Sequence, residues 1–131
     1  MKTKRLILLA GAFMVLTGCA TQKYYWGDYE KSLYKYYKNP GDLDDLAENL
    51  ADTIEHGEEK NKVPPGIYAE YGYVLLIQGK AKEAVIYFDK EKEHWPESTR
   101  LMNIMIRTAN SEEKNKSEVR TNDSGVGVNQ E

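Results

Sequence analysis

Apolar and aromatic side chains recur every three or four residues along most of this sequence, in segments that proline and glycine separate. This spacing places such side chains on one face of an α-helix. The breaks fall at Asn39-Pro40-Gly41, Pro64-Pro65-Gly66, Gly79-Lys80 and Trp95-Pro96, where the backbone preferences of proline and glycine end a helix. The pattern therefore predicts an all-α fold of about five helices in antiparallel hairpins.

The predicted helices cover residues 26–38, 43–57, 66–78, 81–94 and 97–110, and they define one small domain over residues 24–110. From Ser111 onward Glu, Lys, Asn, Ser and Gly dominate, so we expect residues 111–131 to form a disordered tail. About 90 residues are left for the folded part, which is the size of a single small domain and excludes a multidomain enzyme.

The first 18 residues have the organisation of a secretory signal peptide, with basic residues before an apolar run. The run ends in Leu16, Thr17, Gly18 and Cys19. These four positions resemble the lipobox of bacterial lipoproteins, in which a leucine and two small residues precede a cysteine that is lipidated. The alternative is a plain signal peptide before an ordinary thiol, which leaves one unpaired cysteine in an oxidising compartment.

Lipidation of Cys19 would anchor the chain to a membrane, because each buried methylene of an acyl chain adds about 0.8 kcal/mol of affinity. Residues 19–23 would then form the lipidated cysteine and a short tether. Ala20 stands where lipoproteins of the inner membrane carry Asp, so the resemblance implies the periplasmic face of an outer membrane. Display on the cell surface is the alternative orientation.

The charge balance disfavours nucleic acid as a partner. The formal net charge is −3, and three of the 18 basic residues (Lys2, Lys4 and Arg5) lie in the predicted leader. The remaining chain therefore carries 15 basic residues against 21 acidic ones. Phosphate backbones bind basic surfaces, not acidic ones.

The third and fourth predicted helices carry a spacing of small and large residues that resembles the tetratricopeptide repeat. The matching positions are Tyr68, Tyr71, Gly72, Leu75, Ala84, Phe88 and Pro96. Small residues at Gly72 and Ala84 would let two antiparallel helices approach. An unrelated helical hairpin is the alternative, and Glu91 departs from the repeat, which usually has a small residue there. We expect the fifth helix to act as a polar-faced cap.

Several longer segments together resemble one family of short proteobacterial lipoproteins, domain-of-unknown-function family 4810. They are the Tyr-Tyr-Trp-Gly-Asp-Tyr start at Tyr24, the Pro-Pro-Gly-Ile-Tyr-Ala-Glu-Tyr-Gly segment at Pro64, and the Lys-Glu-Ala-Val-Ile-Tyr-Phe-Asp-Lys-Glu segment at Lys82. The resemblance implies no catalytic residue. It also implies gene neighbours that encode other lipoproteins, one of them similar to the curli secretion channel.

Residues with catalytic or metal-binding chemistry are sparse. His56 and His94 lie 38 positions apart and outside any zinc-binding spacing. Both stand at predicted helix ends, where a cationic side chain favours the helix dipole. We therefore expect no enzyme activity, no metal and no cofactor.

Tyrosine is unusually frequent, with ten residues, six of them between Tyr24 and Tyr37. Tyrosine and tryptophan dominate protein-binding hot spots, whereas core packing and anchoring at lipid headgroups are the alternatives. The candidate partner-binding residues are Tyr25, Trp26, Tyr29, Tyr34, Tyr36, Tyr37 and Tyr73. The spacing predicts Tyr29, Leu33 and Tyr37 on the buried face of the first helix and Tyr34 away from it.

Together these observations predict a non-catalytic, outer-membrane-anchored lipoprotein that acts as an accessory or assembly subunit of an envelope complex. Its partners would be envelope lipoproteins or outer-membrane channel subunits, with a curli-secretion-channel-like lipoprotein implied by the family resemblance. The alternative is a pilotin, which escorts a secretin or channel subunit to the outer membrane. A purely structural envelope protein is a further alternative.

Overall fold

The computed structural model describes residues 22–123, and this part of the chain is all-α, with five α-helices and no strand. The helices are α1 (Tyr29–Lys38), α2 (Leu43–Glu59), α3 (Ile67–Ile77), α4 (Ala81–His94) and α5 (Thr99–Asp123). Short 3-10 turns, Pro40–Asp42 and Pro96–Ser98, precede α2 and α5. The predicted fold class is confirmed.

Each helix packs against the next one along the chain, so α3 lies between α2 and α4. Its side chains enter two hydrophobic clusters. Ile67, Tyr68 and Val74 pack with Leu50 and its neighbours on α2, whereas Leu75 packs with residues of α4 and α5 that include Phe88. This double contact explains why α3 is apolar around most of its circumference.

α3 and α4 approach each other closely at Gly72. A Cβ atom at this position would lie 2.7 Å from Cε1 of Phe88 and 3.1 Å from the carbonyl oxygen of Ala84. Ala84 and Phe88 are fully buried, as is Tyr68. Tyr71 is half-buried, with its ring edge-on to Tyr87 at a centroid distance of 4.5 Å. The small residues thus lie where the two helices meet.

Several helix boundaries differ from the predicted ones, by one residue at each end of α3, by two at the start of α5, and by more structurally telling shifts in α1 and α2. Residues 26–28 form a turn, and α1 begins at Tyr29. α2 continues to Glu59, because Gly57 is not a helix stop. It is a buried helical residue against which the following loop packs, and a Cβ there would lie 3.1 Å from Cα of Val63.

α5 is longer than its composition indicates. Residues 111–123 were expected in a disordered tail, but they continue this helix. Two contacts support the extension. Glu113 Oε1 pairs with Nζ of Lys82, in the first turn of α4, at 3.2 Å, and Lys116 Nζ donates to the Gly79 carbonyl, in the turn before α4, at 3.2 Å. The amino-acid composition of residues 111–123 could not predict these contacts. Residues 124–131 lie outside the described part.

The predicted polar cap is also wrong. α5 exposes three large apolar side chains, with Leu101 57 %, Ile104 43 % and Val119 68 % accessible, while Met102 and Ala109 are buried. The signal peptide and the lipobox residues Leu16, Thr17, Gly18 and Cys19 fall outside the described residues. None of the helices in residues 22–123 has the length and apolarity needed to cross a membrane.

Candidate protein-binding surface

α1 divides its aromatic side chains between an inner and an outer face. Tyr29, Leu33 and Tyr36 are half-buried and pack against the α2–α3 cluster. The Tyr29 hydroxyl donates to Oε2 of Glu70 on α3 at 2.6 Å, and burial together with this bond raises the pKa of Tyr29. This inner face fixes α1 on the domain. Tyr29 and Tyr36 are therefore mainly packing residues, and only their outer edges line depressions at the surface.

The outer face exposes large aromatic side chains. Tyr37 is 78 % exposed, Tyr34 62 % and Trp26 37 %. Glu30 lies among them, since it lines one shallow depression with Trp26 and another with both tyrosines. We call Trp26, Tyr34 and Tyr37 the aromatic surface.

Tyr34 is exposed, as predicted. Tyr37 was predicted to be buried, but it is exposed too. With 3.6 residues per turn, Tyr36 returns closest to the direction of Tyr29 and Leu33, and Tyr37 lies about 80° from Tyr29. A count of four residues from Leu33 selects Tyr37 instead. The error moves one more aromatic ring to the surface. Tyr34 also contacts a cation, with Lys38 Nζ 5.5 Å from the ring centroid.

Residues 22–28 form a strap across the end of the domain where α2 and α4 finish. The amide of Tyr25 donates to the Lys62 carbonyl at 2.8 Å. Its ring lies 5.6 Å from that of His56 and 4.1 Å from Lys60 Nζ. Tyr24 lies edge-on to Trp95 at 5.9 Å. Tyr25 therefore holds the strap, and it is not a free binding residue.

Tyr73, the last candidate, lies on α3 far from α1 in sequence and is 52 % exposed. Ile77, one helical turn further, is 48 % exposed. The structure thus leaves four of the seven candidate side chains accessible. Three of them, Trp26, Tyr34 and Tyr37, form the aromatic surface.

A polar cluster that sequence reasoning missed lies beside the strap. Glu58 Oε1 accepts hydrogen bonds at 2.8 Å from the Tyr68 hydroxyl and from Lys90 Nζ. The bond from Lys90 lowers the pKa of Glu58, and the Tyr68 hydroxyl adds to the effect. His94 stacks 5.2 Å from the Tyr68 ring, and its Nδ1 lies 2.9 Å from the Lys90 carbonyl. These contacts join α2, α3 and α4 at one end of the domain.

A family model described as a domain of unknown function, DUF4810, matches residues 23–105. The chain belongs to the DUF4810 family. The match begins within the strap, so the strap is part of the domain that this family shares, and it ends inside α5. No curated protein and no solved structure gives a significant match to the chain.

Glu91 of this DUF4810 domain is 1 % exposed and supports the start of α3. Its Oε1 accepts from the Gly66 amide at 2.9 Å and from the Ser98 hydroxyl at 3.3 Å. Burial raises the pKa of Glu91, against the opposing effect of the hydrogen bonds that its carboxyl group accepts. A carboxylate at the first helical turn satisfies amides that have no partner within the helix. Glu91, which departs from the tetratricopeptide pattern, thus caps the start of α3.

Groups that could hold a metal are not found in the part of the DUF4810 chain that the structure describes, where no three His, Cys, Asp or Glu side chains converge. His56 is held at its helix end, with Nδ1 2.9 Å from the Asp52 carbonyl. His94 lies at the end of α4. The two histidines thus lie in the last turns of two different helices.

Proposed function

We propose that this DUF4810 protein is a non-catalytic adaptor of the bacterial outer membrane. In this proposal lipidated Cys19 holds the chain at the membrane, and the aromatic surface binds a protein subunit of an envelope complex. The observation that carries the proposal is the exposure of Trp26, at the end of the strap, and of Tyr34 and Tyr37 on the helix that follows. The family resemblance favours an envelope lipoprotein or an outer-membrane channel subunit as the partner.

The energetics of aromatic side chains support this use of the surface. A tyrosine or tryptophan buries 150–250 Å² in a typical contact, about as much as any side chain can. It also loses little conformational entropy, because two torsions define it. Such residues are enriched at the centres of interfaces. Three of them on one short helix and the turn before it would supply a hot spot.

The position of the strap supports the same reading. Only Ala20 and Thr21 separate Cys19 from Gln22, and each residue spans at most about 3.5 Å. A lipid on Cys19 would therefore keep the aromatic surface close to the membrane. A partner anchored in the same membrane would meet it there.

We expect a photo-crosslinking amino acid at position 34 to capture a defined envelope protein in intact cells. The same amino acid at Glu48, which is exposed on α2, is the matched control and should not capture it. Affinity purification and mass spectrometry identify the product. Equal products from both positions, or none from position 34, would contradict the proposed surface. Loss of the captured protein's own localisation on deletion of this gene would instead indicate a pilotin.

The anchor is tested separately by membrane fractionation of two variants. We expect wild-type protein in the outer membrane and Cys19→Ala protein released from it, because the acyl chains supply the membrane affinity. Ala20→Asp keeps the cysteine and introduces the residue found in inner-membrane lipoproteins, so it should move the protein to the inner membrane. If Cys19→Ala fractionates like wild type, the lipid anchor is not what holds the protein.

A further inference from the structure

Residues of α5 can be matched with residues of α3 that lie 34 positions earlier in the sequence. This shift is the length of a tetratricopeptide repeat. Leu75 and Ala109 correspond in this shift, and both are buried in the cluster that contains α4. The two helices therefore present equivalent sides to α4. α4 lies between them.

The other side of α5 is uncovered. Ile67 and Val74 of α3 are 1 % and 2 % exposed in the cluster with α2. Their equivalents on α5 are Leu101, which is 57 % exposed, and Thr108, which is exposed as well. No helix within residues 22–123 occupies the position beside α5 that α2 occupies beside α3.

An apolar stripe runs along this side. Leu101, Ile104 and Thr108 follow one another at intervals of three and four residues, which is the spacing of one helix face. Ile104 corresponds to Glu70, the residue of α3 that receives the hydrogen bond from α1. The stripe is thus the equivalent of the α3 surface that the α1–α2 hairpin covers.

The first two turns of the stripe are flanked by positive charge, in a protein whose net charge is negative. Arg100 and Arg107 lie seven residues apart on one flank of the stripe, and both are exposed. Further along the helix the charges are mixed, since Lys114 pairs with Glu118 at 3.8 Å and Glu112 is exposed four residues after Thr108. Among the described residues, no carboxylate forms an ion pair with Arg100 or Arg107. α2 itself is acidic, with Asp44, Asp45 and other carboxylates and no lysine or arginine.

We propose that this face of α5 binds an acidic amphipathic helix of a partner protein. The partner helix would take the place beside α5 that α2 takes beside α3. Its apolar side would cover Leu101 and Ile104, and its carboxylates would pair with Arg100 and Arg107. Complementary charge of this kind increases the rate and specificity of association. The site is distinct from the aromatic surface, since α1 and α5 are the first and last helices of the array.

The test replaces Ile104 with a photo-crosslinking amino acid in the full-length protein and maps the product in intact cells. Ile86 on α4 is the matched control, because it is an isoleucine with similar exposure, 55 %, outside the stripe. We expect a product from position 104 whose crosslinked segment is an acidic amphipathic helix of another protein. A basic or extended segment, a second copy of this chain, or no product beyond that of position 86 would overturn the proposal.

Affinity measurements then test the two parts of the contact. A synthetic peptide with the sequence of the mapped segment is titrated into full-length wild-type protein and its variants. We expect Ile104→Glu and Arg107→Glu each to weaken binding about tenfold. Ile86→Glu and Lys31→Glu, at exposed positions on other helices, should leave it unchanged. Equal affinity for wild type and Ile104→Glu would overturn the proposal, and circular dichroism verifies that each variant is folded. The result does not depend on crosslinking at Tyr34.

Discussion

Gly72→Ala is expected to lower the free energy of unfolding by about 2–3 kcal/mol, the cost of inserting a methyl group into a packed core. The new Cβ would lie 2.7 Å from Cε1 and 2.9 Å from Cδ1 of Phe88. The Phe88 ring is fully buried and cannot turn into solvent. At an open helical site the same change would stabilise the protein by about 1 kcal/mol. The sign of the effect therefore reports the close packing of α3 and α4.

Urea denaturation followed by circular dichroism measures this effect. Gly41→Ala is the control, because its nearest neighbour is a side-chain atom of Asn39 at 3.4 Å, and we expect a change within about 0.5 kcal/mol. Phe88→Leu should relieve part of the clash, so the double variant should lose less stability than the sum of the two single variants. An unchanged midpoint for Gly72→Ala would mean that the helices are not this close.

Glu91→Ala is expected to cost about 2–3 kcal/mol, since it leaves the Gly66 amide without its acceptor and opens a cavity. Glu93→Ala, at an exposed position on the same helix, should change stability by less than about 0.5 kcal/mol. Glu91→Gln keeps a carbonyl oxygen that can accept from Gly66, so we expect a smaller loss, about 1 kcal/mol. Equal stability of the Glu91→Ala and Glu93→Ala variants would refute the capping role.

The pH dependence separates the charge of Glu91 from its hydrogen bonds. Burial raises the pKa of Glu91 above the ordinary carboxyl value of 4.5. In the pH window between 4.5 and this raised pKa, the folded state therefore binds more protons than the unfolded state. The contribution of Glu91 to the free energy of unfolding is therefore greatest below this window and declines as pH rises through it. Denaturation of wild type and Glu91→Gln from about pH 4 to about pH 8 should show this decline in wild type only.

Glu58 contributes with the opposite sign and in a different pH range. The pKa of Glu58 is lowered by Lys90 and Tyr68, so its stabilising contribution is present above 4.5 and is lost as pH falls through the lowered value. Its titration therefore does not overlap the window of Glu91.

The Glu91 prediction is contradicted by one outcome. If the free energy of unfolding has the same slope against pH above 4.5 in wild type and Glu91→Gln, the Glu91 carboxyl does not have a raised pKa in the folded protein.

Periodicity and turn residues were sufficient to predict five helices, because both report local backbone preference and one buried face. The bounds of α4 match the prediction, and the spacing from Gly72 to Phe88 predicted the contact that α3 and α4 make. Contacts between residues far apart in sequence were not predictable in this way. The buried carboxyl group of Glu91 accepts a hydrogen bond from the Gly66 amide, which lies 25 positions earlier in the sequence. The residues next to Glu91 do not indicate that it caps a helix.

The same limit applies to the candidate binding residues. Tyrosine content identified α1 as unusual, but it could not separate Tyr36, which packs inward, from Tyr37, which does not. The difference depends on which of the two side chains lies on the same side of α1 as Tyr29 and Leu33. Similarly, the composition of residues 111–123 indicates a polar segment, and only the contacts of Glu113 and Lys116 with the neighbouring turn show that it continues α5.

If Cys19 is lipidated as proposed, the strap also determines how the domain responds to force. Its contacts lie one after another from residue 22: the Gln22 carbonyl accepts from Lys62 Nζ, the Tyr24 ring lies on Trp95, and the Tyr25 amide donates to the Lys62 carbonyl. A pull between the membrane and a bound partner would load these contacts one at a time. Each contact would therefore break separately, and the strap would peel off the domain. Release of residues 22–28 would add at most about 3.5 Å of length per residue. The anchored end would thus yield under tension while the five helices remain folded.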